Sequence, residues 1–458
     1  MTTKISEPSP PFADCVNMHG LNSLLKTDSG CCRRCVWVMI LVAALGFTCY
    51  NISNQISHYL QQPISVNYDI RRGSALPFPT VTICNINFMR LQAATEGHFV
   101  SLVKRMKPFG FDGLRDTPSY DGLDFSEFKK PLAWETFYRD QGHAIAYQLL
   151  QCRWEVGDCG IENFTTTFTD FGFCFVFNGD GKLNARNSGR AYGLRLSLNT
   201  QQEEYLRSFA DHYGAGFKVA IHPYGLPPIL SEEGISVGPG FHTSLAVDIS
   251  KIKNADASVS KCGSKKLKHY GDTPYSIEAC RQECLSDYVV SKCGCKEVFM
   301  KRNDTLICDP PELFSCVYPS IDDYVKNVNK DCEKSCPGPC STFIYDTTPS
   351  SAPLSEYFLE EYAYYKGHNA TYWRKNFVEL EIYLTSMSYQ YIEKRLSYTL
   401  LDLLCDVGGA LGLLLGASFL TVLEIIDFVF VRTRGCRSGS KETKVHVNKV
   451  HVKGDPRY

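Results

Sequence analysis

The sequence predicts a two-span membrane protein of the α+β class, with a large disulfide-rich region held between two membrane helices. Three observations predict it. Apolar runs lie towards both ends of the chain, positive charge flanks both on the same side, and most cysteines fall between them. The second run, Leu400 to Val431, is the more informative. It is long enough to cross a bilayer, which takes about 20 apolar residues, yet it carries Asp402, Asp406, Glu424 and Asp427. Carboxylates inside a membrane helix are costly and usually face a water-filled path or a partner. Asp402 and Asp406 share one helix face, as do Glu424 and Asp427. Gly408, Gly412 and Gly416 recur at every fourth position and give a flat seam for close helix contact. The segment reads as the lining of a cation pore. The plainer alternative places the acids at the membrane surfaces and the glycines in packing alone.

The first run, Cys35 to Tyr50, is short for a span, but the uncharged stretch Asn51 to Leu60 extends it. A signal peptide is the competing reading. The 34 residues before the run are long for such a leader, and no small-residue cleavage pattern follows. Lys26, Arg33 and Arg34 precede this run, and Arg432, Arg434, Arg437, Lys441 and Lys444 follow the second. Positive charge marks the cytoplasmic side, so both ends are expected inside. The expected organisation is a cytoplasmic segment 1–34, a first span 35–58, an outer region 59–399, a pore-lining second span 400–431 and a cytoplasmic tail 432–458. The tail is basic and polar and is expected to be solvated; contact with anionic membrane lipid is the alternative.

Cysteine usage agrees with that topology. Of 21 cysteines, 14 lie in the outer region: Cys84, Cys152, Cys159, Cys174, Cys262, Cys280, Cys284, Cys293, Cys295, Cys308, Cys316, Cys332, Cys336 and Cys340. An even number in an oxidising compartment argues for disulfides, whose connectivity spacing cannot choose. Zinc is the competing reading for the dense group from Cys280 to Cys340. The Cys293-Gly294-Cys295 spacing does not match common zinc patterns, and His269 alone lies nearby, so no metal is expected. Sequons at Asn163, Asn303 and Asn369 fit a glycosylated outer surface. Asn51 also begins a sequon, too close to the bilayer for use.

Within the outer region, Phe78 to Asn85 is β-rich. Phe173–Phe177, Leu194–Leu198, Phe217–Ile221 and Thr243–Ile249 read as short strands, with turns at Asn178 to Gly181 and Gly225 to Pro228. A helical signal runs from Trp134 to Leu150. Tyr275 to Val290 reads as a helix with Cys280 and Cys284 on one face, and Tyr324 to Cys340 as a second helix against it, ending before Pro337-Gly338-Pro339. Phe377 to Leu384 reads as a strand returning to the second span. No GxSxG, HExxH or phosphate-cradling glycine loop is present, so an enzyme is not expected and no cofactor is implied. His143, His222 and His242 read as structural. The formal net charge of −1 gives no reason to expect nucleic acid.

Taken in order, these residues resemble the epithelial sodium channel, degenerin and acid-sensing ion channel superfamily over about residues 19 to 430, most of all its acid-sensing branch. The resemblance rests on His19-Gly20, on Phe78 to Asn85, on Tyr275-Ser276-Ile277 with Ala279-Cys280-Arg281, and on Gly416-Ala417-Ser418. It is supported by Gln201 to Leu206, Gly216 to Val219 and Gly238 to Phe241. It implies a homo- or heterotrimer with a β-rich palm and a cysteine-stapled helical thumb at about 262–345. It implies the pairs Cys84–Cys174, Cys152–Cys159, Cys262–Cys340, Cys280–Cys336, Cys284–Cys332, Cys293–Cys316 and Cys295–Cys308. It implies a selectivity filter at Gly416, Ala417 and Ser418, supported by His19 and Gly20. Acid rings would stand at Asp406, Glu424 and Asp427. The expected activity is a plasma-membrane sodium conductance blocked by amiloride. The expected stimulus is protons, then a short peptide, then constitutive opening under proton or calcium block.

Departures bear on the stimulus. The histidine pair that the resemblance implies just outside the first span is replaced by Pro63 and Ile64. The aromatic before the first thumb cysteine is replaced by Val259, and one of two thumb acids by Tyr318, leaving Asp322. Lys218 stands at a lysine tied to gating. Asp69, Asp322 and Asp323 are the proton-sensing candidates; ordinary surface acids are the plainer reading. Cys405 stands where a bulky side chain holds related pores open, which predicts a lowered opening barrier. The rival classes are a non-conducting two-span receptor and an ATP-gated trimeric channel, which lacks both Gly-Ala-Ser and the cysteine array.

Overall fold

The computed structural model describes residues 31–96, 139–206, 214–255, 262–328 and 332–416, apart from positions 227, 264, 272 and 333, together with Ser418, Thr421, Leu423, Ile426 and Phe430. The chain divides into two units, Met1–Ile64 with Leu396–Tyr458, and Ser65–Arg395.

The smaller unit is helical. Helix α1 spans Cys31–Leu60, about 45 Å at 1.5 Å per residue. Within Cys32–Leu60 an 18-residue window reaches a mean hydropathy of 2.0 and is almost wholly unburied by its own chain. Val36, Met39, Ile40, Val42 and Phe47 are all exposed, as on a helix solvated by lipid. The helix is longer than the expected span 35–58 at both ends, because nothing in Cys31–Arg34 or Tyr59–Leu60 opposes helix and no proline occurs between Cys31 and Gln62. A second helix begins at Leu400 but ends at Leu415, so the expected run to Val431 is interrupted.

The larger unit is built on two sheets. Its strands are β1 (Ile64–Arg72), β2 (Leu76–Pro77), β3 (Thr80–Asn85), β4 (Leu149–Trp154), β5 (Gly157–Cys159), β6 (Phe164–Thr169), β7 (Gly172–Phe177), β8 (Asn184–Ala185), β9 (Leu194–Asn199), β10 (Phe217–His222), β11 (Ile235–Val237), β12 (Phe241–Lys253), β13 (Ser341–Pro353), β14 (Phe377–Leu384) and β15 (Ser388–Leu396). One sheet runs β1-β15-β12-β14-β9-β4-β5, with β13 also on β12; a second runs β11-β10-β3-β7-β6. Val81, Ile83, Phe177, Phe217 and Val219 of the second sheet share one core with Leu194, Leu196, Leu245, Val247, Val378, Leu380 and Ile382 of the first. Strand β14 is buried on both faces and lies parallel to β12, hence its nearly continuous apolar sequence.

The β-rich runs fall on β3, β7, β9, β10 and β12. Strand β14 forms as expected, yet β15 intervenes before the second helix. The helical signal at Trp134 to Leu150 is reduced to one turn, Ile145–Gln148, and Leu149 opens β4; residues 134–138 lie outside the described set. Pairing with β9 overrides local helix preference there. Strand β13 carries no alternating signal and contains Pro349. It pairs with β12 alone, and an edge strand tolerates proline.

Two helical runs make the cysteine module. Helix α2 is Ile277–Cys293, capped by Ser276, whose side chain accepts the Ala279 N–H at 3.0 Å, and closed by Gly294 at φ 74°. The second run occupies Pro310 to Val328, with five-residue wide turns at Leu313–Val317 and Tyr324–Val328. Cys332, Lys334 and Ser335 are helical as well, so the helix expected from Tyr324 and ending before Pro337 is met by a helical run that begins earlier, at Pro310. Pro310 and Pro311 suit a first helical turn, and the wide turn before Pro319 absorbs the N–H that proline lacks. Two further helices, α3 (Glu356–Lys366) and α4 (Ala370–Asn376), are capped by Ser355 and Asn369. They close over Phe377 with Leu359 and Trp373.

The structure joins seven cysteine pairs, the same seven that the family resemblance implies. Cys280–Cys336 and Cys284–Cys332 stand as adjacent rungs on α2, one turn apart. The sulfurs of Cys280, Cys284 and Cys336 cluster closely, but each belongs to a disulfide and offers no thiolate to a metal.

Candidate functional site

The helix that begins at Leu400, here α5 (Leu400–Leu415), is started and stopped by its own side chains. Thr399 is the N-cap. The Thr399 N–H donates to Asp402 Oδ2 at 2.8 Å, and the Asp402 N–H donates back to Thr399 Oγ1 at 3.3 Å. Asp402 is therefore a capping residue. Asp406, one turn on, accepts the Tyr398 hydroxyl at 2.7 Å, which pushes the Tyr398 phenol up to about 12. Both acids are exposed. Cys405 between them is an exposed free thiol.

At the other end Gly416 turns left-handed, φ 64° and ψ 21°, while its N–H returns to Gly412 O at 3.0 Å. Only glycine adopts that backbone at little cost. Two residues later the helix restarts. The Ser418 N–H donates to Thr421 Oγ1 at 3.1 Å, and the Thr421 N–H donates to Ser418 Oγ at 3.4 Å. The apolar helix is thus broken across Gly416 and Ser418. The carbonyl end of α5 carries partial negative charge and attracts cations. Ala417, Glu424, Asp427, His19 and Gly20 lie outside the described residues.

The gating candidates fall in separate places in the larger unit. Asp69 on β1 is exposed and pairs with Arg71 at 3.0 Å; Arg71 in turn covers the Tyr391 ring of β15 at 3.5 Å. Asp322 is exposed on the second helical run of the cysteine module. Its neighbour Asp323 accepts hydrogen bonds from the Tyr288 hydroxyl and from Asn327, which hold its carboxyl below the usual range. Lys218 on β10 donates to Gly234 O at 3.0 Å within its own chain. The structure does not bring these groups together. Asn163, Asn303 and Asn369 are exposed, with the Asn163 and Asn369 side-chain oxygens engaged in local caps.

His143 and His222 are buried and hydrogen-bonded. His222 sits between Pro223 O at 3.0 Å and Thr82 Oγ1 at 2.8 Å, and burial lowers it to about 4. It lines a cavity of about 280 Å³ shared by Thr82, Thr167, Gln282 and Lys301. His143 faces Asn87 Oδ1 at 3.1 Å, and burial lowers it to about 3. His242 approaches Glu381 at 3.1 Å. Glu381 is 2% exposed and also takes Ser244 and Arg195. Burial raises its carboxyl, but Arg195 reverses the direction and holds it low. On the same strand burial pushes Glu379 up against the opposing pull of Ser197 and Arg195.

Sequence reasoning missed Glu297. This acid lies between the disulfide partners Cys295 and Cys308, is 5% exposed, and has Oε2 without a hydrogen-bond partner. Burial pushes it up to about 7. Neighbouring charges are engaged elsewhere: Lys296 with Arg302 O, and Arg302 with Asp287 and Asp304. The available sequence signal was an acid directly before Val298-Phe299-Met300 in a loop tied by cysteines.

The described residues thus combine an apolar helix near the start, a second helix broken at glycine beside acids, and a disulfide-rich β unit. The model of the amiloride-sensitive sodium channel family matches residues 12–428, and the chain belongs to that family. It is 30% identical over 472 residues to acid-sensing ion channel 1A of Danio rerio, covering 96% of this chain and 92% of that one. It is 30% identical to acid-sensing ion channel 1 of Gallus gallus, over 93% and 85%, and 29% identical to acid-sensing ion channel 2 of Homo sapiens, over 92% and 85%. The chain is accordingly an ion-channel protein of a sodium-transporting family, with a disulfide-rich β extracellular domain and an apolar helix near its start.

Proposed function

We propose that this chain is a subunit of a trimeric, amiloride-sensitive, sodium-selective plasma-membrane channel opened by extracellular protons. Both termini are cytoplasmic in this reading, and residues 400–431 form the second span. The observation that carries it is the break at Gly416 and Ser418. Three copies of that break around one axis would ring a constriction with backbone carbonyls and small side chains, where a partly dehydrated cation is selected. Gly416, Ala417 and Ser418 are the filter, with His19 and Gly20 as its support. Asp406, Glu424 and Asp427 supply rings of negative charge that concentrate sodium and repel anions.

The glycine seam supports assembly. A Cβ placed on Gly408 would meet nothing within 4 Å, so the single chain leaves this face open to the close approach of a like helix. The relatives named above are acid-sensing channels, which supports the stimulus. The exposed Cys405 beside Asp406 favours one variant of the reading, a pore with standing current that acid reduces.

Voltage clamp of cells expressing this chain alone tests the proposal. An inward sodium current evoked by stepping the bath from neutral to about pH 5, and blocked by amiloride, is the expected result. A standing amiloride-sensitive current reduced by acid selects the variant. Silence under both conditions, with the chain detected at the surface, overturns the homomeric channel.

A further inference from the structure

Three side chains form a connected series between α1 and the start of α5. The His58 ring stands 5.1 Å from the Tyr398 ring, tilted by 59°, and the Tyr398 hydroxyl donates to Asp406 Oδ2 at 2.7 Å. The segment carrying Tyr398 is fixed on both sides. The Ser397 N–H donates to Pro63 O at 2.8 Å, and Thr399 caps α5. A titratable ring on one helix is therefore linked through one aromatic to an acid beside Cys405 on the other. We propose that His58 is a proton-binding residue of this channel, and that its protonation tightens the Tyr398–Asp406 contact; this rests on the reading of Asp406 as a pore acid.

An imidazolium is attracted to the face of a tyrosine ring more strongly than neutral imidazole is, because the ring quadrupole adds a cation–π contribution. The ring here is made more electron-rich by the hydrogen bond it donates to a carboxylate. The positive charge also draws the Asp406 carboxylate towards α1. Acid therefore favours the arrangement in which α1 and α5 are joined through Tyr398. Asp402 and Cys405 are the other titratable groups whose charge acts on Tyr398. Asp402 is held by Thr399, and Tyr59 is the titratable neighbour of His58 along α1. Histidine is the side chain type whose charge changes between pH 5 and 8. The family resemblance implies histidines where Pro63 and Ile64 stand, whereas His58 lies further back, inside the helix.

The test reads Cys405 and the current separately, on the full chain at the cell surface. The rate of Cys405 modification by a cationic, membrane-impermeant thiol reagent is followed by gel shift from pH 8 to pH 5. Wild type, His58→Asn and Tyr398→Phe are compared, with Cys405→Ser as the blank for the remaining thiols. The ratio of the wild-type rate to the His58→Asn rate should change about two- to fivefold across that range, the size expected of one exposed cation–π contact. Tyr398→Phe keeps the ring but loses the Asp406 bond and should abolish the change. A ratio that stays flat overturns the proposal, even where acid evokes a current, and leaves the channel reading standing. A ratio that changes as expected in a chain that passes no current supports proton binding at His58 and overturns the homomeric channel alone.

Discussion

Replacing Glu297 by glutamine keeps its shape and removes its charge. In the folded chain its carboxyl ionises near pH 7, against an ordinary value of 4.5, because burial penalises the anion and Oε2 finds no donor. Between those two values the folded state holds a proton that the unfolded state has released. Stability therefore falls as pH rises through that window and levels off above it. At about 1.4 kcal/mol per pH unit the loss totals about 3 kcal/mol. With an unfolding entropy of about 2.1 cal/mol/K per residue, a unit the size of Ser65–Arg395 converts this to roughly 4 °C. His143 and His222 act in the opposite sense. They are buried neutral, so acid below their ordinary 6.5 favours the unfolded chain. They are unchanged in the variant, so the difference between the two proteins isolates Glu297. Thermal unfolding of the full chain in detergent should show Glu297→Gln melting about 4 °C above wild type at pH 8, with the gap narrowing at pH 5. Equal melting temperatures at pH 8 would falsify the reasoning.

Two other outcomes follow from the same bookkeeping of charges and caps. Arg195→Met removes the nearest cation of the Glu381 carboxylate, which is closed to water and keeps Ser244, His242 and the more distant Arg190, while Arg195 itself is half exposed. Stranding a buried partner costs about 3–5 kcal/mol, less where water reaches the site, so about 2–3 kcal/mol is expected; the double variant with Glu381→Leu should recover most of it in the same melting assay, and a double variant less stable than the single one refutes the pairing. Ser418→Ala removes the cap that restarts the helix after Gly416, worth about 1 kcal/mol, and should lower sodium-over-potassium selectivity in reversal-potential measurements; unchanged selectivity argues that the filter lies elsewhere.

The strands that sequence reading located share a physical property. β3, β7, β9, β10, β12 and β14 supply the common core, so their apolar side chains are visible in the sequence itself. β13 and β15 supply only partly buried side chains to that core and β1 none, and β13 and β15 are aligned by pairing with β12. Nothing local encodes this. The second helical run of the cysteine module begins earlier than expected for a related reason. Proline is unfavourable inside a helix, but a wide turn accommodates Pro319 where Leu313 and Val317 are packed into the module core.

The cysteine pairing shows how little spacing alone decides. The Sγ atoms of Cys284 and Cys336 are 3.9 Å apart and those of Cys332 and Cys336 are 3.8 Å apart, although neither pair is bonded. Sulfurs of different rungs are thus close neighbours, and only whole-chain geometry separates the pairings. The titrating groups follow the same logic in reverse. Sequence draws the eye to exposed acids such as Asp69 and Asp322, because clusters of charge are conspicuous. Glu297, His143 and His222, whose ionisation burial moves strongly, are inconspicuous in sequence and buried in structure. Desolvation, the largest of the forces that move them, is a property of what surrounds a residue. A search for the proton sensor of this chain should therefore weigh enclosure and connection, as at Glu297 and at His58 beside Tyr398, above the local density of carboxylates.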